Sequence, residues 1–361
     1  MSAKFFESLE EIAYERGLNI EDVLGKVETA MQVACKNSES VPYKGTIKME
    51  YDLDRKALKF TNYQYIVNEI DPEGPRGQIL VEDAKLIKPK AKAGQTIKTK
   101  VDLKLFSRKA ASMFKQNFMN ELKSLERDEA YNYFSEKVGE IITARVCEIN
   151  DHFIGFDLGK GIMATMSEKD QLPGETYTVD DTLKVYISKV EKTGRGPKVY
   201  ISRSSKEFVR KLFEINIPEI ANGQIEIMSV ARDPGKRSKI GVLSVNGDVD
   251  PKGACVGAGG LRIKSINAAL NGEKIDVFVW KSDPVELISE AISPAKCISV
   301  MADSAEKKAI VIVNDDQYSL AIGAKGQNAR LAVLATGWKI DFKKLSEASE
   351  EGIDFKYNVS H

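Results

Sequence analysis

The sequence predicts a multidomain α+β chain: an N-terminal α/β head, a small five-stranded β-barrel, and two tandem copies of one α/β unit. Three observations carry that reading. At 361 residues the chain exceeds one ordinary domain, for which about 150 residues is typical. The apolar period changes along it, from helical spacing at the start to short alternating runs between Val138 and Ser202. Beyond Lys206, one pattern of strands, helices and glycines occurs twice.

In the head, Phe5, Leu9, Ile12 and Ala13 recur at helical spacing. A broader stripe follows: Ile20, Val23, Leu24, Val27, Ala30, Met31 and Ala34. Asn19 precedes that stripe as an N-cap, with Asp22 at the capping-box position. Strands are expected over Thr46–Leu53, Ala57–Val67 and Thr96–Leu105, the first two joined by a turn at Asp52-Leu53-Asp54-Arg55. Asp71-Pro72-Glu73-Gly74-Pro75 reads as a loop. From Ser107 to Ser135 neither glycine nor proline interrupts a pattern of Ala111, Phe114, Phe118, Leu122 and Leu125, which predicts one long connecting helix.

Val138–Asn150, Phe153–Leu158, Gly161–Met166, Leu183–Val190 and Lys198–Ile201 then read as five short strands. That number in this length suits an OB-type barrel; a sandwich fragment competes, but five strands are few for two facing sheets. Phe153 and Phe156, with His152, could offer base-stacking rings. Strand side chains alternate faces, so one of the two phenylalanines belongs to the core.

The repeat is the most informative feature. VARDPGKRSKIGVLSV, GACVGAGGLRIKSI and GEKIDVFVW return as VMADSAEKKAIVIVND, SLAIGAKGQNARLA and GWKIDFKKL. Each copy carries a GxxG turn between two helices, Gly257–Gly260 and Gly323–Gly326, and a Lys-Ile-Asp triplet beginning at Lys274 or Lys339. Lys206–Ile215 and Pro284–Ile292 supply a leading helix to each. A turn with glycines at its ends lets the backbone approach a sugar-phosphate chain, and the helix that starts there points its free N–H groups at the same anion. This is the KH arrangement for single-stranded nucleic acid. A lone GxxG serves helix packing equally well; two in matching units argue for RNA. Candidate RNA-binding residues are therefore Gly257, Ala258, Gly259, Gly260, Arg262 and Lys264 in the first unit. In the second they are Gly323, Ala324, Lys325, Gly326, Gln327, Asn328 and Arg330. Gln327 and Arg330, three apart, would share one helix face. Lys198, Arg203, Lys206 and Arg210 would extend a positive track from the barrel. A Gly323→Asp change is expected to weaken RNA binding with the fold kept.

Composition excludes several alternatives. With 42% hydrophobic and 29% charged residues the chain is globular rather than disordered. No apolar run approaches the roughly 20 residues that cross a bilayer, and MSAKFFESLEEIAYERG, without a basic stretch followed by an apolar one, does not read as a signal peptide; with the cysteines below, a cytoplasmic protein is expected. Cys35, Cys147, Cys255 and Cys297 lie far apart beside only two histidines, which predicts reduced, buried thiols and no metal site. Net charge is zero, yet unevenly spread. Residues 1–30 hold three bases and seven acids, whereas Lys192–Lys211 holds seven bases and one acid. GACVGAGG fits neither GxGxxG nor GxxxxGK[ST]. Asp315-Asp316 reads as a helix cap rather than a metal pair. No catalytic residue and no cofactor is expected, hence no enzyme.

GPKVYISRSSKEFVRKLFEINIPEIANGQIEI, ARDPGKRSKIGV, DPKGACVG and DDQYSLAIGAKGQNARLAVLATGWKIDF closely resemble stretches of the NusA family, and FSRKAASMFKQNF resembles its head. The resemblance covers almost the whole chain and is strongest from Gly196 to Phe342. It implies a bacterial transcription elongation, termination and antitermination factor. The expected domains are an RNA-polymerase-binding head (1–135), a ribosomal-protein-type OB barrel (136–203), two type II KH domains (204–281 and 282–345), and a polar tail (346–361). Implied partners are RNA polymerase, nascent single-stranded RNA and other elongation or antitermination factors, with the chain acting as a monomer. Two departures stand out: Gly259 replaces the arginine usual in the first GxxG, and the acidic repeats some members append after the second KH unit are absent from this sequence. An RNA-degrading enzyme of the polynucleotide phosphorylase type remains a rival, although its order is KH then barrel. So does a general RNA-binding protein without polymerase contact.

Overall fold

The computed structural model describes residues 3–37, 41, 43–53, 55–75 and 77–359. The chain divides into two compact units, Met1–Tyr133 with Lys192–Pro197, and Phe134–Glu191 with Lys198–His361.

In the first unit, α1 (Ala3–Arg16) and α2 (Ile20–Asn37) form on the expected stripes, and Asn19 Oδ1 accepts the Glu21 N–H at 2.8 Å as a cap should. The buried side of α2 is Val23, Leu24, Val27, Ala30, Met31 and Ala34, with Ile20 half-buried. β1 (Thr46–Asp52) and β2 (Ala57–Val67) pair antiparallel; Asp54 of their predicted turn lies outside the described residues. A short strand β3 (Gln78–Leu80) and helix α3 (Val81–Ile87) follow, which the periodicity did not announce. β4 (Thr96–Lys100) ends before the expected Leu105, because the Asp102 carboxylate accepts the Lys104 N–H and winds Leu103–Leu105 into a 3₁₀ turn. β2 is the central strand, flanked antiparallel by β1 and β4 and continued parallel by β3. α4 (Arg108–Glu136) is the long helix, and its Phe118, Leu122 and Leu125 join α1 and α2 in one core.

The second unit begins with β5 (Ile141–Ile149), β6 (Phe153–Asp157), β7 (Met163–Ser167), β8 (Thr182–Thr193) and β9 (Gly196–Ser202), ordered β7-β6-β5-β8-β9. This nearly closed barrel wraps Val146, Phe156, Met166, Val185 and Ile187. Phe156 is wholly buried and Phe153 half-exposed, so Phe156 is the core member of the pair.

The repeat folds as two like modules. The first comprises α5 (Lys206–Asn216), α6 (Pro218–Ala221), β10 (Ile225–Asp233), β11 (Arg237–Ser244), α7 (Pro251–Val256), α8 (Leu261–Ala269) and β12 (Lys274–Val279). The second comprises α9 (Pro284–Ala291), β13 (Cys297–Asp303), β14 (Lys308–Val313), α10 (Asp315–Ile322), α11 (Gln327–Thr336) and β15 (Lys339–Lys344), with α12 (Leu345–Glu350) after it. In both sheets the middle strand is antiparallel to the first and parallel to the last, the helix-first KH topology. Register is identical: Lys274 opposes Arg237, and Lys339 opposes Lys308. The Lys-Ile-Asp triplets thus open equivalent strands. Neither Asp315 nor Asp316 caps α10. Asn314 holds the N-cap position, while Asp315 accepts from the Ser346 hydroxyl and, at 3.2 Å, from its N–H, which keep its carboxyl below the usual range.

The modules of this unit pack without a free linker. Ala231 and Phe278 of the first KH sheet share a core with Leu287, Ile288 and Ala291 of α9. Lys239, 1% exposed, donates to Ser293 O at 2.6 Å and lies 3.4 Å from Asp276 Oδ2. Burial drives its pKa down to about 8, against the pull of Asp276.

Candidate nucleic-acid interface

Both GxxG turns have the same backbone. Gly257 (φ 73°, ψ 170°) and Gly323 (φ 74°, ψ 171°) occupy a region essentially reserved for glycine, and Gly260 and Gly326 are left-handed. Between them Gly259 (φ 60°) and Lys325 (φ 52°) are left-handed too. Glycine at 259 therefore sits without strain but brings no charge, whereas Lys325 holds an exposed cation in the second turn at a conformational cost. α8 and α11 start directly off the turns, and neither has a side-chain cap, so their first-turn N–H groups and dipoles face the loop. Ala258 and Ala324 are exposed beside them.

The polar neighbours divide into exposed groups and structural ones. Lys264 and Lys325 are exposed, and Lys264 Nζ reaches back to Gly259 O at 3.2 Å. Arg262 and Asn328 hold the same repeat position, two residues past the turn, and both are turned inward. Arg262 Nη1 donates to Ala254 O and pairs with Glu219, each at 2.8 Å. Asn328, 1% exposed, donates through Nδ2 to Ile292 O and Ala321 O. Asn328 is thus corrected from an RNA contact to a buried brace. Each of the two lies under the first glycine: a Cβ on Gly257 would meet Arg262 Cγ at 2.8 Å, and one on Gly323 would meet Asn328 Cβ at 2.8 Å. Substitution at Gly323 accordingly disturbs the turn itself, contrary to the expectation that Gly323→Asp spares the fold.

Gln327 and Arg330 do share a face, and that face meets the first KH module. Both side chains donate to Asp233 Oδ2, at 2.7 and 2.9 Å. Arg330 remains 58% exposed and can still reach a ligand.

Arg203 requires the largest correction. Its basic neighbours suggested a surface residue, yet it is 2% exposed. Its guanidinium grips the Glu175 carboxylate bidentately and donates to Lys184 O in the barrel and to Ala269 O in the first KH module. It also lies over the Phe208 ring at 5.3 Å. Arg210 is likewise occupied, by Ile227 O and Glu207. The proposed track contracts to Lys198 and Lys206, both exposed, with Lys198 Nζ 4.8 Å over Tyr200. Periodicity held the missed signal for Asn328, since Leu331, Ala332 and Ala335 follow it at the spacing of one buried face.

Among the described residues no cluster of histidine, cysteine, aspartate or glutamate could hold a metal ion, and no helix is long and apolar enough to cross a membrane. Burial raises the Cys35 thiol to about 11 and Cys255 to about 12, which keeps both protonated.

Four family models match the chain: a NusA N-terminal domain over residues 4–128, an S1 RNA binding domain over 135–202, a NusA-like first KH domain over 203–280 and a NusA-like second KH domain over 284–350. Among curated relatives, the transcription termination/antitermination protein NusA of Bacillus subtilis is 39% identical over 98% of this chain and 94% of its own length. The protein of the same name from Thermus thermophilus is 35% identical, with 95% and 90% covered. The one from Rickettsia conorii is 32% identical, with 97% and 69% covered.

Proposed function

The chain belongs to the NusA family of transcription termination/antitermination proteins, and from that premise we propose that its head docks on RNA polymerase while the barrel and both KH modules hold the emerging transcript. The observation that carries this reading is the pair of glycine turns with matching backbone angles, each opening an uncapped helix and each with an exposed lysine beside it, Lys264 and Lys325. Backbone N–H groups and ammonium ions at that spacing recognise phosphates without reading bases. Holding RNA at the polymerase surface favours or delays hairpin formation, and through that it modulates pausing, intrinsic termination and antitermination. The docking role of the head is supported by α1, where Tyr14 is 89% exposed among Glu7, Glu11 and Glu15.

Co-sedimentation with bacterial core RNA polymerase, with and without a nascent transcript, tests the proposal. Binding should tighten as RNA emerges. It should vanish on removal of residues 1–127, whose cores contain no residue beyond Leu125. RNA binding without polymerase binding would replace this reading with that of a general RNA-binding protein.

A further inference from the structure

The head carries a surface that neither the polymerase nor the KH reading uses: the outer face of its sheet. Side chains alternate along β2, so Leu58, Phe60 and Ile66 enter the cores while Lys59, Thr61, Tyr63 and Tyr65 turn outward. Register sets Lys48 of β1 and Lys100 of β4 on either side of Thr61, and Lys98 of β4 beside Tyr63. The ammonium groups of Lys48 and Lys98 flank the Tyr63 ring, 5.6 and 5.1 Å from its centre. Tyr65, two residues on, is 44% exposed. The acids of β1 on this face are neutralised within the hairpin, Glu50 by Lys59 and Asp52 by Arg55. Lys98 and Lys100 close the stretch Ala84–Val101, which holds six lysines and no acidic residue. Between the lysines lies Thr61, 6% exposed, whose hydroxyl has no hydrogen-bond partner among the described residues.

We propose that this face is a second site for single-stranded RNA, separate from the KH turns. Tyr65 stacks on a base as it stands, and Tyr63 does so once the ammonium groups of Lys48 and Lys98 leave its ring for the phosphates, which they and Lys100 neutralise. Aromatic rings on a central strand with cations on both flanking strands supply the two things a single strand offers, a π-face and a regular negative charge. An acidic protein surface would engage the lysines but leave the exposed ring of Tyr65 without a role. The site discriminates by strandedness rather than sequence, since every base stacks and a duplex conceals its faces. The inference rests on the proposed function only in taking RNA as the polyanion.

The test uses the full chain and an oligouridylate containing 4-thiouridine, irradiated and mapped by mass spectrometry of the crosslinked peptides. Crosslinks are expected on the peptide carrying Tyr63 and Tyr65, in addition to those in the KH modules. Their yield should fall about tenfold in Tyr63→Ala, the size of one lost stacking contact, and survive in Tyr63→Phe. Crosslinks in the KH modules should be unchanged in both variants, which also reports that the rest of the chain is intact. Crosslinks confined to the barrel and KH modules would overturn the head site and leave the proposed function standing. An undiminished yield in Tyr63→Ala would overturn the stacking role, and absence of crosslinks anywhere would remove both readings.

Discussion

Replacing Gly323 by alanine should cost more than the same change three residues on, at Gly326. Gly323 has φ 74° and ψ 171°, a conformation that charges any other residue roughly 1–3 kcal/mol. Its new Cβ would lie 2.8 Å from Asn328 Cβ and 2.9 Å from Asn328 N. Asn328 cannot retreat, because it is buried and its amide is bonded to Ile292 O and Ala321 O. Gly326 is an ordinary left-handed residue (φ 73°, ψ 16°), and a methyl group added there would meet nothing within 4 Å, so only the conformational penalty of roughly 1–2 kcal/mol applies. Thermal melting and amide exchange distinguish the two. At roughly 2–4 °C per kcal/mol for a region of this size, Gly323→Ala should melt several degrees below Gly326→Ala. It should also exchange the first-turn amides of α11 faster. Equal melting temperatures would refute the argument, since the contact with Asn328 would then be relieved without cost. By the same logic Gly326→Asp, rather than Gly323→Asp, is the variant that adds charge at the turn while disturbing it least.

Further outcomes follow from the site. Arg203→Met should destabilise by roughly 3–5 kcal/mol, because Glu175 is left buried and unpaired; restoration by a second change, Glu175→Gln, would be read in the melting curve, and a neutral single variant would contradict the burial argument. Lys325→Gln should reduce the salt slope of RNA binding by about 0.7 without altering stability, whereas Arg262→Gln should lower stability; titrations at several salt concentrations separate the two, and equal slopes for wild type and Lys325→Gln would remove Lys325 from the interface. Lys239 has a folded-state pKa below its unfolded value, so below pH 8 both states are protonated and its burial penalty is complete. As pH rises from about 8 toward 10.5 the folded state releases its proton first, and stability should rise by on the order of 3 kcal/mol relative to Lys239→Ile. Isoleucine is the residue of the second module at that register, Ile310, and parallel pH profiles for the two proteins would sink the prediction.

The repeat was legible because its constraints are local. GxxG needs glycine for its backbone, and the Lys-Ile-Asp strands sit in a fixed register with their neighbours. The barrel and the long α4 were legible from alternation and from the absence of helix breakers. β3 and α3 were not, since three residues of strand and seven of helix are too short to establish a period. The contact residues were harder for a different reason. A basic side chain in a basic run reads as surface, and only a distant acid, Glu175, makes Arg203 an interior residue. Gln327 and Arg330 were placed on one face correctly, but the acceptor they meet, Asp233, lies in another module, and no helical period reveals that.

That joint at Asp233 has a consequence for what kind of transcript the pair of turns can grip. With α9 and α11 seated on the first KH sheet, the interval between Gly257–Gly260 and Gly323–Gly326 is a fixed gauge rather than a tether. An RNA spacer shorter than the gauge reaches only one turn and forfeits the gain of simultaneous attachment. A longer spacer bulges outward, at a closure cost that grows by only about 0.6 kcal/mol for each doubling of its length. On the proposed function, the modules would therefore select against short intervals steeply and against long ones gently, a preference for layout along the RNA that requires no base to be read.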